Sequence, residues 1–74
     1  MKGRGIQMNQ QYRLKVKHMK EEMKVSYTLI SNELGIKPSS FYNWLNNQYD
    51  FTFERLMELK QILNRLEEQK ELKE

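Results

Sequence analysis

The chain has 74 residues, enough for one small domain, with no Cys and a single His. A disulfide framework and a thiolate metal site are therefore excluded. The net charge is +3, and residues 1–49 carry eight Lys and Arg against three acidic residues, whereas residues 50–74 carry five against seven. This asymmetry suits a protein that lays one face on a polyanion. We expect no enzymatic activity, cofactor or metal, because one His and scattered carboxylates do not assemble a nucleophile–base pair.

Residues 1–8 contain Gly3 and Gly5, two cations and no helical periodicity, which predicts a flexible N-terminal arm. The arm is either a plain unstructured start or a cationic segment that reaches phosphates. A third reading is that residues 1–7 are not native coding sequence, because purine-rich codons for residues 2–5 resemble a ribosome-binding site ahead of Met8. No run of ~18 apolar residues and no signal sequence are visible, so we expect a cytoplasmic protein.

The first helix is predicted over residues 9–23. Its apolar stripe has spacings of four, three and four and consists of Tyr12, Val16, Met19 and Met23. Asn9 is interpreted as the N-cap of this helix. The basic residues Arg13, Lys15, Lys17 and Lys20 lie mostly off the stripe, and His18, also off it, is expected on the surface.

Two short helices follow. Ser26 is the predicted N-cap of a second helix over residues 27–34, and Gly35 ends it with left-handed backbone angles. Pro38 starts a third helix that ends near residue 46, because Pro is favoured in the first turn. The apolar face of the second helix is predicted to be Leu29, Ile30 and Leu34, and that of the third Phe41, Trp44 and Leu45.

The fourth helix is predicted to begin after its N-cap Thr52, with Phe51 and Leu56 at the spacing of a hydrophobic staple, and to reach Lys73. No segment has the alternation or the hairpin partner of a strand. The sequence therefore predicts an all-α fold, a small four-helix domain with a central helix-turn-helix and an extended C-terminal helix. The predicted boundaries are an arm over 1–8, a domain over 9–66 and a helical tail over 67–74.

The two short helices and the turn at residues 35–37 have the spacing of a helix-turn-helix unit. A small residue, Ser31, stands where the two helix backbones must approach each other. The segment resembles the Cro/C1-type, lambda-repressor-like family, most closely small regulators of phages and mobile elements in low-GC Gram-positive bacteria. The matching positions are Ile30, Ser31, Leu34, Gly35, Ile36, Ser39, Ser40, Phe41, Tyr42, Trp44 and Leu45. Three features depart from the family. Lys37 stands where a Ser or Thr usually caps the third helix, and Ser31 stands where Ala is more frequent. Many relatives have a fifth helix, whereas this chain ends with an extended fourth helix.

The resemblance implies a sequence-specific transcriptional regulator, a repressor of phage or mobile-element type, that reads the major groove of double-stranded DNA with the third helix. The implied base contacts are Ser39, Tyr42, Asn43 and Asn46. Asn pairs with adenine and Ser with either base edge, while Tyr42 either stacks on a sugar or contacts a thymine methyl group. The implied phosphate contacts are Ser26, Tyr27, Thr28, Lys37, Asn47 and Gln48. The alternative is a protein-interaction module with the same fold, such as a phage-encoded antagonist of a host regulatory factor.

The length of the fourth helix predicts a weak homodimer. Its apolar residues continue beyond what a four-helix domain needs, in the seam of a coiled coil only about two heptads long. The predicted dimer contacts are Leu59, Ile62, Leu63 and Leu66. A monomer with a solvated tail is the other reading of the same pattern.

Overall fold

A computed structural model describes the backbone of residues 4–73 and the side chains of residues 8–69. Within that range the chain forms four helices and no strand, which confirms the predicted all-α fold. The helices are α1 (Arg4–Met23), α2 (Tyr27–Leu34), α3 (Pro38–Leu45) and α4 (Phe53–Lys73). The long helices α1 and α4 pack against each other, and α2 packs against both α3 and α4. None of the helices in this part of the chain combines the length and the apolar character that a membrane span requires.

The start of α1 differs from the sequence prediction. The helix begins at Arg4, so residues 4–8 are helical and the predicted arm does not extend over them; residues 1–3 lie outside the described residues. Asn9 is consequently not an N-cap but a buried residue inside the helix. The physical reason is tertiary contact, because Met8 adds one turn to the apolar stripe and packs against the core. That contact outweighs the low helix propensity of Gly5.

The helix ends follow the local signals in the sequence. The Ser26 hydroxyl accepts a hydrogen bond from the Leu29 N–H at 3.2 Å, and the Thr52 hydroxyl accepts one from the Arg55 N–H at the same distance. Both N-caps are thereby confirmed. Pro38 occupies the first turn of α3, and its N-cap Lys37 makes no side-chain capping bond, as predicted.

The core lies between all four helices, with Trp44 fully buried at its centre. The Trp44 ring stacks on the Phe51 ring with centroids 4.4 Å apart and lies beside Phe41 at 5.4 Å. Phe51 and Leu56 are both buried, in agreement with the predicted staple. The prediction that Leu29 belongs to the buried apolar face of α2 is wrong. Leu29 is 41% exposed, because only Ile30, Ser31 and Leu34 of this eight-residue helix face fully inward.

The predicted dimer seam on α4 is largely internal. Leu59, Ile62 and Leu63 are buried in the core of a single chain, which leaves them no surface to offer a second copy. These three residues therefore pack inside one chain, and a weak homodimer through α4 stays a prediction. The reason for their burial is that α4 packs on both α1 and α2, so a wider face of the helix is covered than a narrow seam would need. Leu66 alone of the set is half-buried.

The burial of Trp44 generates a stability prediction. We expect Trp44→Ala to lower the free energy of unfolding by about 3–5 kcal/mol, because it leaves a large cavity at the centre of the core. Urea denaturation followed by circular dichroism measures the change. The matched control is Phe53→Ala, whose ring is 63% exposed and whose removal should cost less than about 0.5 kcal/mol. Equal effects of the two substitutions would contradict the central position of Trp44.

Candidate nucleic-acid interface

The outer side of α3 carries three of the predicted base-contact residues. Ser39, Tyr42 and Asn43 are exposed, whereas Phe41, Trp44 and Leu45 of the same helix are buried. Asn46, the fourth predicted residue, is exposed at the C-cap of α3. These positions follow one another at spacings of three, one and three, so they share one side of the helix. The fold therefore presents the four predicted side chains together on a surface free of core residues.

The turn between α2 and α3 is fixed by backbone hydrogen bonds. Gly35 has φ 78°, and its N–H and that of Ile36 donate to the carbonyl oxygens of Asn32 and Ser31 at 3.1 and 3.0 Å. This is a Schellman ending, which satisfies carbonyl groups that the helix would leave without partners. The exposed Lys37 follows Ile36 as the N-cap of α3 and therefore lies at the junction of the two helices. Ser31 is fully buried at the crossing, and its hydroxyl donates to the Thr28 carbonyl at 2.8 Å.

The first turn of α2 holds three of the predicted phosphate contacts. Ser26 and Thr28 are exposed, and the Ser26 hydroxyl oxygen is already engaged as the cap of the helix. Tyr27 is half-buried and packs against the core. The exposed start of a helix offers backbone N–H groups to an anion.

An aromatic cluster joins α2 to α3 on this surface. The Tyr27 and Tyr42 rings meet edge to face with centroids 5.6 Å apart, and Phe41 lies behind Tyr27 at 6.1 Å. The Lys20 ammonium group of α1 lies 4.9 Å from the centre of the Tyr27 ring. Burial raises the pKa of the Tyr27 phenol, and the nearby Tyr42 and Glu21 raise it further. Tyr27 therefore stays protonated and neutral at physiological pH.

The loop after α3 has a defined shape. Asn47 has φ 66°, in the left-handed region, and its N–H donates to the Trp44 carbonyl at 3.1 Å. The Gln48 N–H donates to the Asn43 carbonyl at 2.9 Å, which completes a second Schellman ending. The Tyr49 hydroxyl reaches back to the Ser40 carbonyl at 3.0 Å. Asn47 and Gln48, the remaining predicted phosphate contacts, are thus exposed on a loop whose backbone is held in place.

Arg13 is buried beneath this loop, although it lies off the apolar stripe that the sequence shows on α1. Its side chain is only 3% exposed and donates to the carbonyl oxygens of Trp44 at 2.6 Å and Tyr49 at 2.8 Å. A third bond, at 2.8 Å, reaches the Asp50 carboxylate. The guanidinium carbon also lies 5.2 Å from the centre of the Trp44 ring. A cation at the C-terminus of α3 is favourable because the helix dipole is negative there.

Asn9 fixes the other end of the same loop. Its side-chain oxygen accepts hydrogen bonds from the Trp44 indole N–H at 2.7 Å and from the Phe51 N–H at 2.8 Å. Its side-chain nitrogen donates to the Phe51 carbonyl at 3.2 Å. Asn9 and Arg13 together tie α1 to the segment between α3 and α4.

Ion pairing separates the cations of the described residues into two groups. The pairs are Arg13–Asp50, which joins α1 to the loop before α4, Lys15–Glu67 between α1 and α4, Arg65–Glu33 between α4 and α2, and Arg55–Glu58 within α4. Lys20, Lys24 and Lys37, at the end of α1 and in the two connections that flank α2, form no ion pair within the part of the chain that the structure describes. Of these three, Lys20 lies beside Tyr27 and Lys37 directly precedes α3, so two of these charges adjoin the surface that α2 and α3 form.

Sequence reasoning missed Asn9, Arg13 and Lys20 as contributors to this surface. The signal was present, because Asn9, Arg13, Val16 and Lys20 follow one another at spacings of four, three and four and therefore share one side of α1. A polar residue at the spacing of a core stripe indicates a buried hydrogen-bonding role. The identity of its partners depends on the fold.

Comparisons of this chain with protein-family models, with curated proteins and with solved structures find no match. The resemblance to Cro/C1-type regulators therefore rests on the residues quoted above. Among the described residues, no group of three or more His, Asp or Glu side chains is arranged to hold a metal ion.

The buried position of Arg13 generates the second stability prediction. We expect Arg13→Ala to cost about 2–3 kcal/mol, because a hydrogen-bonded guanidinium is lost and carbonyl groups at the end of α3 lose their donor. Urea denaturation measures the cost, and amide hydrogen exchange at Gln48 should accelerate as the loop loosens. The matched control is Arg65→Ala, which breaks the exposed pair with Glu33 and should cost no more than about 1 kcal/mol. If both substitutions cost the same, Arg13 does not organise the loop.

Proposed function

We propose that the protein is a sequence-specific DNA-binding regulator that inserts the exposed side of α3 into the major groove of a duplex. The observation that carries the proposal is the division of α3 into a buried side and an exposed side that holds Ser39, Tyr42, Asn43 and Asn46. An α-helix fits the width of the major groove, and the side chains that reach base edges determine sequence preference. Short polar side chains suit such contacts.

Phosphate contacts on both sides of α3 complete the proposed docking. Lys37 lies at the start of α3, Asn47 and Gln48 follow its end, and the first turn of α2 lies beside its middle, where Tyr27 contacts Tyr42. Contacts of this kind set the register of a protein on the duplex, whereas base contacts select the sequence. Lys20 and Lys37, which form no ion pair in the described part and adjoin α2 and α3, add attraction for the backbone.

The chemistry of α3 favours particular base pairs. Asn43 is exposed in the middle of the helix, and an Asn side chain pairs bidentately with adenine. The helix contains no Arg, the side chain that most often reads guanine. The proposed site is therefore rich in A·T pairs at the positions that α3 contacts.

One observation favours a second function, that of a protein-interaction module. A surface groove beside α2 is lined by Met23, Val25, Leu29 and Leu66, and Leu29 is 41% exposed. Exposed apolar side chains in a groove are typical of protein-binding surfaces. The two functions differ in one measurement: duplex affinity that falls steeply with salt supports DNA binding, and the absence of any duplex affinity supports the alternative.

The first functional prediction concerns base readout. Selection of bound sequences from a random-duplex pool at fixed salt should yield a preferred site, and Asn43→Ala should relax the preference at one position at a cost of ~1–3 kcal/mol. A repeated half-site in the selected sequences would indicate two chains per duplex. Asn64→Ala, at an exposed position on α4, is the control and should leave the preferred site unchanged. An unchanged preference for Asn43→Ala would overturn the docking of α3.

The second functional prediction concerns the backbone contact of Lys37. We expect Lys37→Ala to weaken binding to all duplexes about equally, and the slope of log K against log salt to become shallower by about one. Fluorescence anisotropy at several salt concentrations measures both effects. Lys60→Ala removes the same charge from the exposed side of α4 and should leave the slope nearly unchanged. Equal slopes for the two variants would remove Lys37 from the interface.

A further inference from the structure

We infer that Tyr42 recognises the 5-methyl group of a thymine and that Tyr27 is the positioning residue that holds the Tyr42 ring for this contact. The inference rests on the proposed function and names the base that α3 selects at one position. It also changes the role of Tyr27 from a phosphate contact to a support for a base contact.

The Tyr42 ring is exposed to solvent, but its contact with the Tyr27 ring fixes its orientation. The Tyr42 side chain is 45% exposed on the outer side of α3, and the ring meets the Tyr27 ring edge to face, with an angle of 84° between the planes. Such aromatic pairs are attractive beyond the area that they bury. A ring that is already oriented loses less conformational entropy when it binds, so its contact contributes more to affinity.

Tyr27 is itself fixed on two sides. The buried Phe41 ring lies 6.1 Å from it, and the Lys20 ammonium group lies 4.9 Å from its centre. Cation–π attraction of this kind favours one ring position over others. The support for Tyr42 therefore extends from the core through Phe41 and Tyr27 to the surface.

The position of Tyr42 on α3 favours a base over a sugar. Ser39 and Asn46 stand three residues before it and four residues after it on the same side of the helix. Tyr42 is therefore in the middle of the side that faces the bases, whereas sugars and phosphates lie towards its ends. Thymine presents the one apolar group of the major groove, its 5-methyl, and apolar side chains contact it.

The experiment uses the duplex selected by the full-length protein and replaces each thymine in turn by deoxyuridine, which removes only the methyl group. One position should lose about fourfold in affinity, the effect of burying one methyl-sized group. Tyr42→Ala should bind the thymine and uracil duplexes equally, and Tyr42→Phe should keep the fourfold ratio. Tyr27→Ala should reduce the ratio at the same position. Phe53→Ala, on the exposed side of α4, should leave it at fourfold.

The thymine-to-uracil ratio is insensitive to partial unfolding, because a lower folded fraction weakens binding to both duplexes equally. The inference is overturned if every uracil substitution is silent, if the selected site contains no thymine, or if Tyr42→Ala keeps the ratio. An unchanged ratio in Tyr27→Ala overturns the positioning role. In these cases salt-dependent duplex binding still supports the proposed function, whereas the absence of binding to any duplex overturns both.

Discussion

The buried amide of Asn9 and the buried guanidinium of Arg13 connect the N-terminal helix to the segment that joins α3 and α4. Asn9 bonds to the Trp44 indole and to the Phe51 backbone, and Arg13 bonds to the carbonyl oxygens of Trp44 and Tyr49. Buried polar groups must find partners, and here they find them with α1 placed against the segment that follows α3. The orientation of the exposed side of α3 therefore depends on a polar contact made in the core.

Backbone geometry limits α3 at both ends. Gly35 and Asn47 both have left-handed φ angles, and the residue after each completes a Schellman hydrogen bond. The eight-residue helix between them is too short to be stable alone, so its position is fixed by what it packs against. Phe41 and Trp44 anchor it in the core, and the residues between them face outward. The turns before and after α3 and its buried side therefore fix which of its side chains lie on the surface.

The cations that lack an ion-pair partner are the ones that matter for the proposed binding of DNA. The paired cations Arg13, Lys15, Arg55 and Arg65 join segments or adjacent turns. The lysines beside α2 and α3 have no such partner among the described residues, so they are the ones that a polyanion would meet. Lys17 and Lys60 also lack an ion pair among the described residues, so Lys20 and Lys37 are distinguished by their positions, beside Tyr27 and at the start of α3.

Local signals in the sequence determined the number of helices, most of their ends and the division of α3 into two sides. Ser26, Gly35, Pro38 and Thr52 act through their own backbone and nearest turn, so no knowledge of the rest of the chain was needed. The helical periodicity of residues 38–46 predicted that Ser39, Tyr42, Asn43 and Asn46 are exposed. What these side chains bind remains a prediction.

Only the tertiary structure decided the features that depend on distant partners. The start of α1 at Arg4 follows from the packing of the turn around Met8 and Asn9 on the rest of the domain. The burial of Arg13 required carbonyl groups more than 30 residues away, and the burial of Leu59, Ile62 and Leu63 required both α1 and α2 beside α4. Periodicity shows that a residue shares a side of a helix with the core, but the chain must fold before it is clear which sides are covered.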